Sequence, residues 1–162
     1  MEEDLWLGDT PFFQLVEAPR FAGGSLEVLS GLAAARGPFE TGLIEMVETS
    51  WRKPLSDLTC EEVATLVGQR MALEWLAGPV LDFVRRYPAA DDGCYPGHMI
   101  SAVLNAEALF REHAAARLEE WLDLPEPWPP DLFRWSRSLQ REMEEKLATA
   151  RLASGGARRK KT

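Results

Sequence analysis

The chain has 162 residues, enough for one domain with a hydrophobic core, and a formal net charge of −8. Hydrophobic residues make up 46% and charged residues 27%, which excludes a wholly disordered chain, and no apolar run approaches the roughly 18 residues of a membrane-spanning helix. The N-terminus is acidic, unlike a secretory signal, so we expect a cytoplasmic protein that does not bind membranes.

Residues 1–37 are expected to form an irregular segment that docks on the core, because apolar residues alternate there with prolines and glycines. Residues 25–29 fit either a short helix or a strand. Gly37-Pro38 marks a break before a helix. The apolar face of that helix comprises Leu43, Ile44, Val47 and Trp51.

The next helix has the clearest start in the chain. Thr59 and Glu62 have the spacing of a capping box, in which each side chain satisfies a backbone amide of the other residue. Leu58 and Val63 fit the accompanying hydrophobic staple. Further along, Gly78-Pro79 is expected to kink this helix or end it, because proline lacks an amide hydrogen. Tyr87-Pro88 ends the segment.

Residues 89–93 are typical of an exposed loop, and Tyr95-Pro96-Gly97 predicts the start of a long helix that reaches about Leu122. The prolines of residues 125–130 indicate a stiff, extended connector. Of the six tryptophans, Trp128 within this connector is the one expected to be partly exposed. The last helix is predicted to begin at Asp131. Its buried stripe comprises Leu132, Trp135, Leu139, Met143 and Leu147.

Helical patterns dominate, so we predict a mainly α, single bundle-like domain over residues 1–152, with at most a short irregular or β element near the N-terminus. Residues 153–162 are expected to form a disordered basic tail. Four basic residues lie in that tail, so residues 1–157 carry −12. A body this acidic repels nucleic acid and attracts a basic partner, although solubility alone also explains the charge.

The sequence shows no recognisable catalytic or metal-binding motif. His98 and His113 would lie more than roughly 20 Å apart on one helix and therefore cannot share a metal ion. Cys60 and Cys94 lack zinc-site spacing, and adjacent carboxylates on a helix favour a solvated face. We therefore predict no enzyme, no bound metal and no cofactor. The basic tail has no interleaved aromatic residues, so we also predict no direct nucleic-acid binding.

Three short motifs follow one another between residues 40 and 110: a link before a capped helix, a glutamine step within that helix, and a Tyr-Pro-Gly turn before a further helix. The residues that carry them are Arg52, Pro54, Leu55, Leu58, Thr59, Gln69, Leu73, Trp75, Leu76, Tyr95, Pro96, Gly97, Met99, Ile100, Val103 and Leu104. Their order and spacing resemble the immunity proteins of contact-dependent growth inhibition systems. His98 stands where that family has aspartate.

The resemblance implies that the chain binds and neutralises a cognate antibacterial toxin, encoded by the neighbouring gene, through stoichiometric occlusion. Many such toxins resemble nucleases with basic grooves, which an acidic inhibitor complements. The acidic residues expected to be exposed are the candidate contacts: Asp91, Asp92, Glu61, Glu62, Glu119, Glu120 and Asp123. The alternative is an acidic helical adaptor or secretion-chaperone-type protein without an immunity role.

Overall fold

The computed structural model describes residues 6–161, with side chains through residue 154. Within this range there are seven α-helices: α1 (Leu26–Ser30), α2 (Gly42–Arg52), α3 (Cys60–Gly68), α4 (Leu73–Arg86), α5 (His98–Asn105), α6 (Glu107–Leu122) and α7 (Arg137–Lys161). The same residues form isolated β-bridges but no strand. The prediction of a mainly α, bundle-like domain is confirmed. Residues 6–161 contain no helix long and apolar enough to cross a membrane.

The helices pack around one apolar core. α4 lies along α6, α3 lies between α2 and α5, and α7 packs on α5 and α6. The side chains at the centre are fully buried, and the largest are Trp121, Phe12, Phe83, Phe110 and Phe133. Burial of these aromatic rings supplies much of the apolar area that stabilises the fold.

The N-terminal segment docks on this core through both side chains and backbone. Phe12 is fully buried, and its ring centroid lies 5.4 Å from that of Phe83. The carbonyl groups of Gly8 and Thr10 accept hydrogen bonds from the first amides of α3, at 3.1 Å from Glu61 N and 2.9 Å from Cys60 N. The segment therefore satisfies donors that the helix itself leaves unpaired.

The start of α3 confirms the predicted capping box. The Thr59 hydroxyl accepts from the Glu62 amide at 3.2 Å, and the Glu62 carboxylate accepts from the Thr59 amide at 3.0 Å. Leu58 and Val63 are both fully buried, as the hydrophobic staple requires.

The break after α3 comes earlier than predicted. α3 ends at Gly68, and Arg70 and Ala72 then have φ values of 59° and 60°, which no helix accommodates. α4 continues through Pro79 to Arg86, so the proline does not end the helix. Its missing amide costs one hydrogen bond, and the packing of α4 along α6 outweighs that cost.

The single helix predicted from residue 98 to Leu122 is divided into α5 and α6. Ala106 separates them with φ −124° and ψ 33°, and Ala114 within α6 is also non-helical, with φ −151° and ψ 49°. Neither position has a proline or glycine beside it in the sequence, so the chain turns there because of packing and not because of a local breaker.

The last helix begins at Arg137, not at Asp131. Ser136 caps it, since the Ser136 hydroxyl accepts from the Leu139 amide at 3.3 Å. α7 continues to Lys161. At residue 154 the Ser154 side chain is buried and lies 3.1 Å from an Arg111 guanidinium nitrogen.

The proline-rich connector folds back on the core, so the expected exposure of Trp128 was wrong. Trp128 is only 9% exposed, with its ring 6.2 Å from Trp121 and 5.7 Å from Phe133. Trp135, expected to be buried, is 60% exposed. Leu43 and Ile44 are also exposed at the start of α2, whereas Trp51 at its end is buried.

Candidate functional site

The loop between α4 and α5, residues 87–97, is pressed closely against two other parts of the fold. Gly93 and Gly97 have φ values of 105° and 83°, which favour glycine. A Cβ atom at Gly97 would lie 2.7 Å from the Phe133 ring, and one at Gly93 would lie 2.9 Å from Glu61. Glycine therefore allows the loop to contact both the start of α3 and the connector before α7.

Asp92 organises the centre of this loop. One carboxylate oxygen accepts from the Cys94 amide at 3.0 Å, and the other lies 3.0 Å from Nδ1 of His98. Asp92 is only 1% exposed. The prediction that Asp92 is exposed is therefore wrong, because its carboxylate is used to fix the loop.

His98 lies at the first position of α5 and is held on three sides. Its ring is 5.0 Å from the Tyr95 ring, Asp92 binds Nδ1, and a Cβ atom at Gly68 would lie 3.2 Å from Nε2. Burial lowers the pKa of His98, but hydrogen bonds to Asp92 and Cys94 and the nearby negative charge outweigh it and raise the pKa to about 10. His98 is therefore an imidazolium at neutral pH, paired with the Asp92 carboxylate.

Cys94 completes a cluster that the sequence analysis missed. One donor atom each from Asp92, Cys94 and His98 lie within 4.8 Å of one another, and the Cys94 side chain is exposed. The cluster contains only one of the two cysteines, so it differs from the paired cysteine spacing considered in the sequence. The signal was the pattern Asp-x-Cys-x-x-x-His at residues 92–98, which brings three ligand types onto one turn and the helix after it.

Two exposed tryptophans border this loop. Trp6 is 51% exposed, and its ring and the Gly93 backbone both lie against Gly8. The neighbouring Leu7 amide donates to the Asp91 carbonyl at 2.8 Å. On the other side, the exposed Trp135 has its ring 5.6 Å from that of Tyr95. Tryptophan is enriched at the energetic centres of protein interfaces.

Acidic side chains accompany the tryptophans. Glu61 lies against Gly93, Asp91 is half-buried within the loop, and Asp9 is exposed on the turn that caps α3. We refer to this surface as the loop face. It is formed by Trp6, Asp9, Glu61, Asp91, Tyr95 and Trp135.

Glu62, another predicted contact, is also buried. One carboxylate oxygen accepts from Ser50 at 3.1 Å and from Lys53 at 2.7 Å, and the other binds Thr59. Burial raises the pKa of Glu62, but the hydrogen bonds from Lys53, Thr59 and Ser50 and the Lys53 charge outweigh it, so the pKa is lowered overall. Glu62 links α2 to α3 and is not available to a partner.

The remaining predicted acidic contacts lie at the C-terminal end of α6. Glu119 is half-buried and pairs with Arg111, and Glu120 pairs with Arg85 at 3.0 Å between exposed side chains. Asp123 is exposed. The structure thus places the predicted contacts in two groups, of which only the group around Glu61 and Asp91 adjoins exposed tryptophans.

A groove of about 630 Å³ lies elsewhere, between residues 17–21 and the α4–α6 pair. Trp75, Pro79 and Arg117 contribute to its walls, and Arg117 pairs with Asp82 at 3.5 Å. Asp92, Cys94 and His98 do not line this groove, so it does not provide a substrate cleft beside the cluster.

The fold and its surface define a helical protein with an acidic, tryptophan-bordered face. A family model for CDI immunity proteins matches residues 35–120, just over half of the chain. The match contains the capped start of α3, Gln69 and the turn at residues 95–97. The chain therefore belongs to the CDI immunity proteins, a family whose members are in general not enzymes. Neither the curated proteins nor the solved structures give a significant match.

Proposed function

We propose that this chain acts in the cytoplasm by binding a cognate toxin domain in a one-to-one complex and covering its active site, without catalytic turnover of its own. Membership of the CDI immunity proteins is the observation that carries this proposal. A protein of this kind needs a preformed surface and enough rigidity to hold it, and the bundle supplies both.

The loop face is the surface that we propose meets the toxin. Its tryptophans offer large apolar area at low cost in conformational entropy, and the Asp92–His98 pair and the glycine contacts hold the loop in place before binding. Trp6 and Trp135 border the loop on two sides and come from segments far apart in the sequence. Both lie outside the matched residues 35–120, so they are features by which this chain selects its own partner.

The acidic charge supports a basic toxin that acts on nucleic acid. Residues 1–157 carry −12, and the loop face contributes Asp9, Glu61 and Asp91 to that charge. A basic substrate groove is steered toward such a surface, which speeds association. The toxin is proposed to be a nuclease encoded by the neighbouring gene.

The binding experiment uses the toxin domain of the neighbouring gene in a catalytically inactive form. We expect a one-to-one complex by size-exclusion chromatography with light scattering. We also expect an association rate that falls as salt rises, because exposed charges are screened beyond about 8 Å at physiological ionic strength. Failure of the unmodified chain to bind would reject the proposed function.

Variants then test the face itself. Trp6→Ala and Trp135→Ala should each weaken binding by at least about tenfold, which corresponds to about 1.4 kcal/mol. Leu152→Ala is the matched control, since Leu152 is 77% exposed on α7 and lies outside the loop face. If the tryptophan variants bind as tightly as the control, another surface meets the toxin and only the choice of face is wrong.

A further inference from the structure

We propose that Asp92, Cys94 and His98 form a zinc site with one open coordination position. A carboxylate oxygen, a thiol sulfur and a ring nitrogen lie within 4.8 Å of one another. Carboxylate, thiolate and imidazole are the ligand types that zinc takes in proteins, and three protein ligands with a fourth, open position is an established arrangement. The site rests on the geometry of the chain alone and not on the proposed function.

Two of the three donors are already positioned. The Cys94 amide holds one oxygen of Asp92 at 3.0 Å, which directs the other oxygen toward Nδ1 of His98, also at 3.0 Å. The His98 ring is confined between Tyr95 and Gly68. Little conformational freedom is therefore lost when an ion replaces the proton between the carboxylate and the ring.

Cys94 supplies the third donor from the surface. Its side chain is exposed, so a hydrated ion reaches the sulfur directly, and water fills the fourth position. On binding, the Cys94 thiol and the His98 imidazolium each release one proton to solvent, because the ligands are the thiolate and the neutral imidazole. A set of sulfur, nitrogen and oxygen donors favours zinc over magnesium or calcium, which prefer oxygen ligands alone.

The other cysteine does not compete for the ion. Cys60 is fully buried, and burial together with the charge of Asp92 raises the pKa of its thiol to about 12. It remains a neutral thiol, so a thiolate signal from a bound metal reports on Cys94.

The test is titration of metal-free protein with Zn²⁺ in competition with a chromophoric chelator, and with Co²⁺ as a spectroscopic substitute. We expect one Zn²⁺ per chain and a thiolate-to-cobalt charge-transfer band in the near ultraviolet. Cys94→Ser should abolish the band and weaken Zn²⁺ binding by more than the roughly 10–100-fold that loss of an outer-shell partner costs.

His113→Ala is the matched control, because His113 is exposed on α6 and its removal should leave both signals unchanged. Cys94→Ser changes an exposed side chain, so the fold is retained, which circular dichroism verifies. The proposal is overturned if the unmodified chain does not bind Zn²⁺. It is equally overturned if Cys94→Ser binds the ion as tightly as the His113→Ala control.

Discussion

Replacing Glu62 with glutamine removes the charge of a carboxylate that joins α2 to α3. Four hydrogen bonds converge on it: one from Ser50, one from Lys53 and two from Thr59. Glutamine keeps an oxygen for Thr59, but it turns an amide donor toward the Lys53 ammonium and the Ser50 hydroxyl.

The expected loss of stability follows from these contacts. A hydrogen bond to a charged group contributes about 1.5–3 kcal/mol when buried, but the Lys53 side chain is 44% exposed, so its share is at most about 1 kcal/mol. Weakening of the buried bonds from Ser50 and Thr59 adds about 1 kcal/mol. The total of about 2 kcal/mol corresponds to a fall of about 4–8 °C in Tm for a chain of this length.

The effect should depend on pH in a defined direction. The pKa of Glu62 is lowered in the folded state from its ordinary value of 4.5. Its contribution is therefore fully present above that value and is lost as pH falls through the folded-state pKa. Chemical denaturation at neutral pH and at stepwise lower pH should show the difference between the unmodified chain and Glu62→Gln shrinking as the solution becomes more acidic.

Glu61→Gln is the matched control, because Glu61 is the preceding residue of the same helix turn and takes no part in this network. It should change stability by no more than about 0.5 kcal/mol. Equal stabilities of Glu61→Gln and Glu62→Gln at neutral pH would refute the structural role of Glu62 and return it to the candidate contacts.

Three further experiments test the loop and the start of α3. Native protein should react with one equivalent of a thiol reagent, at the exposed Cys94, because Cys60 is buried and its thiol pKa is raised to about 12. Unfolded protein should react with two equivalents. Rapid reaction of two equivalents with the native chain would contradict this. Gly97→Ala should lower the free energy of unfolding by more than the roughly 1–2 kcal/mol that a left-handed backbone conformation costs a non-glycine residue. The added Cβ atom would also lie 2.7 Å from the Phe133 ring. An unchanged melting temperature would disprove the close packing. Thr59→Ala should cost about 1 kcal/mol in a denaturant melt through loss of the N-cap, while toxin binding at a temperature where the variant is folded stays unchanged.

Local signals in the sequence were sufficient wherever a few adjacent residues determine the structure. The capping box of Thr59 and Glu62 and the turn before α5 depend on hydrogen bonds within a few residues, and both were located correctly. The break at Ala106 has no such signal. α5 packs most extensively on α3 and α6 on α4, a difference in tertiary packing that no pattern of alanines encodes.

The burial of polar groups was harder to foresee than that of apolar ones. Glu62 and Asp92 are adjacent to other carboxylates, a pattern typical of a solvated surface, yet both are buried. Glu62 bonds to Ser50 and Lys53 around the end of α2, and Asp92 bonds to Cys94 within the loop and to His98 at the start of α5. Trp128 is buried and Trp135 is exposed, the reverse of what was expected, because the connector places the Trp128 ring beside Trp121.

Survival of cells that produce the toxin domain encoded by the neighbouring gene tests the central claim most directly. The account predicts growth when the unmodified chain or Leu152→Ala is co-expressed, and arrest when the chain is omitted or when Trp6 and Trp135 are both replaced with alanine. Arrest in the presence of the unmodified chain, or growth without it, would contradict the proposal that this protein neutralises that toxin.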